Sequence, residues 1–278
     1  MSRKSFEPRV GIVTGGGAGI GLEIARQLVE RGSHVVVADI DGAAAEEAAT
    51  TLGSASAATV DVSDPEAVRE LVRATVAEHG RLDVMVNNAG VLFSGPFEET
   101  TDAHWEHALG VNVRGVVNGA RAAYDQMLTQ PDGGYILNTA SLAGLMPAPW
   151  MTPYTTSKWA VVGFSRALRA EAAGRRITVT ALCPGYTDTK LLDEVVDPSA
   201  SVRPGDFRKT AKGFQGRLMT PRQVAEKAVE GLAAGKAVVV VGWFAQVMYR
   251  ANRINPRTMD LGVRVEAAKQ RRSARTRR

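Results

Sequence analysis

Ser141, Tyr154 and Lys158 are the residues whose types and spacing best suit chemistry. Ser141 closes an apolar run, Gly134 to Ser141, that reads as a buried strand. Thr152 and Pro153 then open a helix, with Thr152 as its N-cap and Pro153 at the first helical position. Tyr154 and Lys158 stand four apart in that helix and so project from one face. A strand end thus delivers a hydroxyl to the cleft that receives a phenol and an ammonium. A free tyrosine has a pKa of about 10, too high for a base near neutrality. A cation within roughly 4–6 Å favours the phenolate and lowers that value. Acid–base catalysis works best with a group poised near the working pH. Ser141 would hold the oxygen that gains or loses the proton, and the adjacent carbon must then exchange a hydride, which requires a carrier. Taken alone, Tyr-x-x-x-Lys equally describes a surface i,i+4 pair, so its meaning rests on the rest of the chain.

The elements that must position this trio follow one pattern. Strands are expected at Val10–Thr14, His34–Ile40, Ala57–Val62, Leu82–Val86, the run ending at Ser141, Ile177–Cys183 and Val238–Val241. Helices are expected at Gly19–Arg31, stopped by Gly32, and at Gly42–Leu52. Others start at Ser63-Asp64-Pro65, run from Asp102 to about Met127, carry Tyr154, and open at Thr220-Pro221. Strands and helices alternate, and the strands are near-continuously apolar. That predicts an α/β fold: one doubly wound parallel sheet of about seven strands, covered on both faces. There is no internal repeat and no dividing linker, so residues 1–242 read as one domain, with residues 243–278 as an amphipathic helix and basic tail.

Composition narrows the class. At 278 residues, 45% hydrophobic and 23% charged, the chain has the make-up of a soluble globular protein with ample core. The single Cys183 excludes an internal disulfide, and no Cys/His cluster has metal-ligand spacing, so no metal is expected and a reducing cytoplasm fits. Neither a signal peptide nor an apolar stretch of membrane-spanning length is expected. The net charge of +5 is unevenly placed. Residues 250–278 hold ten Lys/Arg against Asp260 and Glu266, a surplus of eight, which leaves the body at about −3.

The first turn reads Thr14-Gly-Gly-Gly-Ala-Gly-Ile-Gly21. Its glycines at 15, 19 and 21 let the backbone turn tightly and approach a pyrophosphate at the helix N-terminus. The spacing is G-x-x-x-G-x-G rather than G-x-G-x-x-G. Asp39 ends the second strand, eighteen residues after Gly21, where an acidic residue can accept from an adenosine ribose diol. It would repel a 2′-phosphate, and neither Ala18 nor Ile40-Asp41 supplies a compensating cation, which argues for NAD(H) over NADP(H).

These residues together resemble the short-chain dehydrogenase/reductase family from about Val10 to Gly242. The resemblance is carried by TGGGAGIG at 14–21, Asp61-Val62, Asn87-Asn88-Ala89-Gly90, Asn112, Ser141, Tyr154-x-x-x-Lys158 and Pro184-Gly185, in the family's order. It implies a Rossmann-type fold and roles for single residues. The turn residues Gly15, Gly17, Ala18, Gly19 and Ile20 would bind the cofactor, with Asp39 and Ile40 at its ribose. Asp61 and Val62 would flank the adenine, and Asn88, Ala89 and Gly90 would line the cleft. Asn112 would support a water that relays protons to Lys158. Tyr154 would be the acid/base, Ser141 would orient the substrate oxygen, and Lys158 would also bond the nicotinamide ribose. Pro184, Gly185, Tyr186, Thr187 and Thr189 would hold the carboxamide. Ala140 departs from the pattern where many relatives carry a second serine, and the extension beyond Gly242 is not required by it. The resemblance also implies a homotetramer.

Substrate selection should fall to loops beyond the strand C-termini. Leu142, Trp150, Tyr186 and Leu191, with Met146, Met151 and the stretch 190–219, suggest an apolar pocket beside Ser141 and Tyr154. Arg203, Arg208 and Lys209 leave a carboxylate or phosphate clamp open. The leading expectation is an NAD-dependent dehydrogenase of an apolar secondary alcohol, or the reductase of its ketone. An NADPH-dependent carbonyl reductase is opposed by Asp39, and a dinucleotide sensor or scaffold by the intact Asn112, Ser141, Tyr154 and Lys158 set. Trp243, Phe244, Val247, Met248 and Ile254 recur near helical spacing, as a helix packed on its own subunit or a neighbour, or as a membrane-surface helix before a basic arm. No nucleic-acid recognition motif accompanies the basic residues.

Overall fold

The structure is a computed structural model that describes residues 6–193 and 206–275. Seven strands form one sheet: β1 (Val10–Thr14), β2 (His34–Asp39), β3 (Ala55–Thr59), β4 (Val84–Asn87), β5 (Gly134–Thr139), β6 (Ile177–Pro184) and β7 (Val238–Val241). Their order is β3-β2-β1-β4-β5-β6-β7 and each neighbouring pair is parallel. The order reverses between β1 and β4, and in such sheets ligands bind beyond the strand C-termini at that switch.

Helices α1 (Gly19–Val29), α2 (Gly42–Leu52), α3 (Pro65–His79), α4 (Asp102–Leu109), α5 (Val116–Leu128) and α6 (Thr152–Glu171) alternate with the strands. They are followed by α7 (Asp206–Gln215), α8 (Pro221–Ala233), α9 (Trp243–Ile254) and α10 (Pro256–Arg275). Successive strand residues point to opposite faces. Val13, Val35, Val37 and Val86 therefore pack with Ile24 and Leu28 of α1 and Leu232 of α8. Ile12, Val36 and Met85 pack on the other side with Leu71 of α3 and Ala123 and Met127 of α5. Burial on both faces explains why the strands lack polar alternation.

Several boundaries differ from the sequence expectation. β3 begins and ends earlier, so Asp61 and Val62 lie in a turn in which Asp61 Oδ1 accepts from Ser63 N at 2.9 Å and Ser63 Oγ at 2.8 Å. That turn feeds Asp64, the true cap of α3, whose carboxylate accepts from Glu66 N and Ala67 N. The long helix is broken: α4 and α5 flank a π-helical segment, Gly110–Gly115, which contains Asn112. Thr152 is the first residue of α6 and does not cap it; Met151 holds that position and no side chain caps. Just before it, Trp150 has φ of 66°, a strained value for a bulky residue. β6 runs one residue further, to Pro184, and α1 ends at Val29.

Candidate active site

The glycine-rich turn between β1 and α1 is shaped as a cradle. Gly15 and Gly19 have φ of 58° and 57°, a region open to glycine. A Cβ on Gly17 would lie 2.9 Å from Ala44 Cβ and 3.0 Å from Asp39 Oδ2. Ala18 caps α1 without a side-chain bond and the first turn holds no acidic residue, so no acidic side chain of that turn competes for the helix's first amides. Asp39 is fixed against this turn: its carboxylate accepts from Gly17 N at 3.0 Å and Asp41 N at 3.1 Å. Ile40 beside it is exposed. A pyrophosphate at the helix end and a ribose diol at Asp39 fit these residues.

The fourth strand's end completes the cleft. Asn88 Nδ2 donates to Thr14 O at 3.2 Å and Gly15 O at 3.1 Å, and Thr14 Oγ1 accepts from Asn88 N and Ala89 N. Asn88 therefore locks the turn to β4. Gly90 faces both Asn112 and Lys158, for a Cβ there would lie 3.1 Å from Asn112 Oδ1 and 3.4 Å from Lys158 Nζ. Thr189 crosses to the same turn, its Cγ2 3.3 Å from where a Gly19 Cβ would stand. Val62 is turned inward against Gly115 and belongs to the core, while Asp61 is exposed.

Ser141, Tyr154 and Lys158 meet at the end of β5 as their spacing predicts. The Ser141 side chain stands beside the Tyr154 phenol and acts to lower its pKa. Lys158 Nζ lies 5.4 Å from the Tyr154 ring centroid and donates to Thr139 O at 2.9 Å. Asn112 accepts from Val91 N at 2.8 Å and donates to Val91 O at 2.9 Å and Ser157 Oγ at 3.0 Å. Its carboxamide thus clamps the loop after β4 to α6. Ser157, Thr139, Thr14 and Cys183 also belong to this constellation, although the sequence assigns none of them a role in it. Their partners lie across the fold, so spacing carries no signal for them; Thr14 alone sat inside a recognised motif.

The electrostatics correct one expectation. Burial pushes the Tyr154 phenol above its ordinary value, outweighing the lowering influence of Ser141. Burial also holds Lys158 down to about 8 and, with a lesser opposing effect from Ser141 and Lys158, pushes the Cys183 thiol up to about 12. Proximity of Lys158 does not by itself make Tyr154 a phenolate, because both groups are deeply desolvated. A stability consequence follows. With Lys158 titrating near 8 when folded and near 10.5 when unfolded, the unfolded chain binds more protons above pH 8, so stability rises with pH there. Above about 9 the raised Cys183 acts in the opposite sense. Thermal melts without cofactor are expected to climb from pH 8 to 9, and Lys158→Met to flatten that rise; an unchanged slope would refute the buried, depressed Lys158.

The substrate side is apolar around Tyr154, which packs with Leu92, Ala143, Met151, Ala148 and Leu191. Gly95 N donates to Trp150 O at 2.8 Å, tying the loops on either side of this patch. Leu142 is turned away, packing with Met146 and Ala245 of α9. Tyr186 is clamped through its main chain by Gln215 and stacks between Phe214 and Phe244. Gly185 approaches the same Gln215, and Thr187 Oγ1 donates to Gly185 O. Arg208 is no carboxylate clamp: it binds Asp188, Asp193 and Thr189 O, pinning α7 to the loop after β6. Arg203 lies outside the described residues.

Residues 9–200 match the family model described as short chain dehydrogenase. The chain is 34% identical over 259 residues to the probable oxidoreductase EphD of Mycobacterium tuberculosis, covering 89% of this chain but 43% of that protein. It is 35% identical over 237 residues to 2-(S)-hydroxypropyl-CoM dehydrogenase 3 of Xanthobacter autotrophicus, covering 83% of this chain and 91% of the relative. Among solved structures, a short chain dehydrogenase/reductase from Burkholderia phymatum in complex with NAD aligns with a TM-score of 0.82 at 28% identity, over 90% of this chain and 94% of that one. The parallel sheet, the glycine cradle at its switch point, and the Ser141, Tyr154 and Lys158 cluster agree with these matches: the chain belongs to the short-chain dehydrogenase/reductase family.

Proposed function

We propose that the protein transfers a hydride between NAD(H) and an apolar secondary alcohol or its ketone. The observation that carries this is the Tyr154 phenol beside Ser141, set against Lys158 and opening onto Leu92, Met151 and Leu191. Gly15 to Gly21, Asp39, Asn88 to Gly90, Lys158 and Pro184 to Thr189 would hold the dinucleotide. When bound, its nicotinamide supplies or accepts the hydride. The chain's own residues then handle the oxygen: Ser141 orients it, and Tyr154 donates its proton to a ketone oxygen or takes it from an alcohol. The neutral phenol favoured by burial is the donating form. Lys158 stands behind it, held by Thr139 O.

Asp39 supports NAD(H), since its carboxylate sits at the turn where a 2′-phosphate would be repelled. The named hydroxypropyl substrate of one relative supports a secondary alcohol. The engaged Arg208 supports an uncharged substrate end. A homotetramer and a cytoplasmic location belong to the same reading, the first from the family resemblance and the second from the lone, buried Cys183.

A panel of 2-alkanols of growing chain length, followed by NADH absorbance, tests the substrate class. Each methylene buried is worth about 0.8 kcal/mol, so kcat/KM should rise up to about fourfold per carbon until the patch is filled. Turnover restricted to small charged hydroxy acids would overturn the apolar reading.

A further inference from the structure

We propose that the outward face of α9, with the basic run that follows it, docks the protein on an anionic lipid surface. The argument begins with how α9 is divided. Its inner face is fully committed to the body: Ala245 is buried, Phe244 and Met248 pack with Leu142, Met146 and Val240, and Asn252 Nδ2 donates to Leu145 O at 3.0 Å. The amphipathic pattern would therefore be satisfied without any further apolar residue. Yet Trp243, Val247 and Ile254 are 67%, 53% and 84% exposed. Their spacing of four and seven places them on one side of the helix. Arg250 falls in the same stripe, and Arg253 and Arg257 are exposed beside or just beyond it. On α10, Leu261 and Val265 are also exposed, with Arg264 between them, while Val263 packs inward.

Large apolar side chains interleaved with arginines suit an interface with two layers, acyl chain below and anionic headgroup above. Long basic side chains extend toward the headgroups while their stems cover apolar surface. The charge balance selects the partner. Residues 250–278 carry a surplus of eight positive charges, whereas the remainder of the chain is near −3. An anionic leaflet attracts the extension and is indifferent or repellent to the body, which orients the protein with α9 down. A second copy laid symmetrically on this face would bring like-charged arginines together. No helix among the described residues is long and apolar enough to cross a membrane, so the association is peripheral. Residues 243–278 thereby act as an appendage to a catalytic domain of residues 1–242. α9 leaves the C-terminal end of β7, the same sheet edge at which Ser141 follows β5, so docking would set the site's mouth toward the lipid.

The test uses the full chain and sedimentation with vesicles of phosphatidylglycerol or phosphatidylcholine, with no turnover needed, so its outcome is independent of the substrate reading. The bound fraction should be at least tenfold greater on phosphatidylglycerol and should fall at 1 M salt, where charges are screened within about 3 Å. Trp243→Ser/Val247→Ser/Ile254→Ser and, separately, Arg250→Gln/Arg253→Gln/Arg257→Gln should each lower binding at least tenfold. All these side chains are exposed, and retained NADH binding by each variant verifies that the fold is intact. No binding to phosphatidylglycerol, or equal binding to both lipids, overturns the proposal. So does a fall in oligomer size in the serine variant with vesicle binding unchanged, which would assign the face to another copy.

Discussion

Tyr154→Phe is expected to lower kcat by about 10³-fold, within the 10²–10⁴ range of general acid–base catalysis, while NADH affinity changes less than about threefold. The substitution removes one oxygen and keeps the ring among Leu92, Ala143, Met151 and Leu191, so the apolar packing survives. What is lost is the phenolic proton donor beside Ser141. Phenylalanine also leaves Lys158 bonded to Thr139 O, so the side chain proposed to meet the nicotinamide ribose stays in place. Turnover by Tyr154→Phe at the wild-type rate would remove Tyr154 from the chemistry. A parallel loss of NADH binding would instead make it a packing residue of the cofactor cleft.

Gly21→Ala carries the second large effect. A Cβ at this position would stand 2.6 Å from Asn88 Nδ2 and 2.9 Å from the Gly15 carbonyl carbon. Neither neighbour can retreat, because Asn88 Nδ2 already donates to Thr14 O and Gly15 O, and Thr14 Oγ1 holds Asn88 N. Relieving the overlap must reopen the turn or pull α1 off the sheet. The expected outcome is at least a 100-fold loss of NADH affinity, with a stability cost of about 1–3 kcal/mol typical of overpacking. Gly262→Ala is the control, since nothing lies within 4 Å of a Cβ on that helical glycine. It should leave NADH affinity unchanged. Normal NADH binding by Gly21→Ala, measured by calorimetry, would show that the turn does not approach the cofactor as closely as its shape requires.

Much of this arrangement was readable from residue order because the fold's rules are local. Strands buried on both faces leave continuous apolar runs, and Pro65 and Pro221 mark two helix starts that the structure confirms. Tyr154 and Lys158 share a helix face by geometry alone. The misses have tertiary causes. β3 is made of small residues, Ala55 to Thr59, whose pattern does not fix its ends; pairing with β2 does. The π-helical break around Asn112 arises where its carboxamide reaches Val91 and Ser157, residues far away in sequence. Leu142 looked like a pocket residue until α9 covered it. Arg208 looked free until Asp188 and Asp193 engaged it. The upward shift of Tyr154 comes from burial, which no spacing encodes.

The most direct measurement is calorimetric titration of the purified protein with NADH and, separately, NADPH. The carboxylate of Asp39, fixed by Gly17 N and Asp41 N, leads us to expect NADH to bind at least tenfold more tightly. Preference for NADPH would contradict the assignment of Asp39, and binding of neither would contradict the hydride-transfer reading itself.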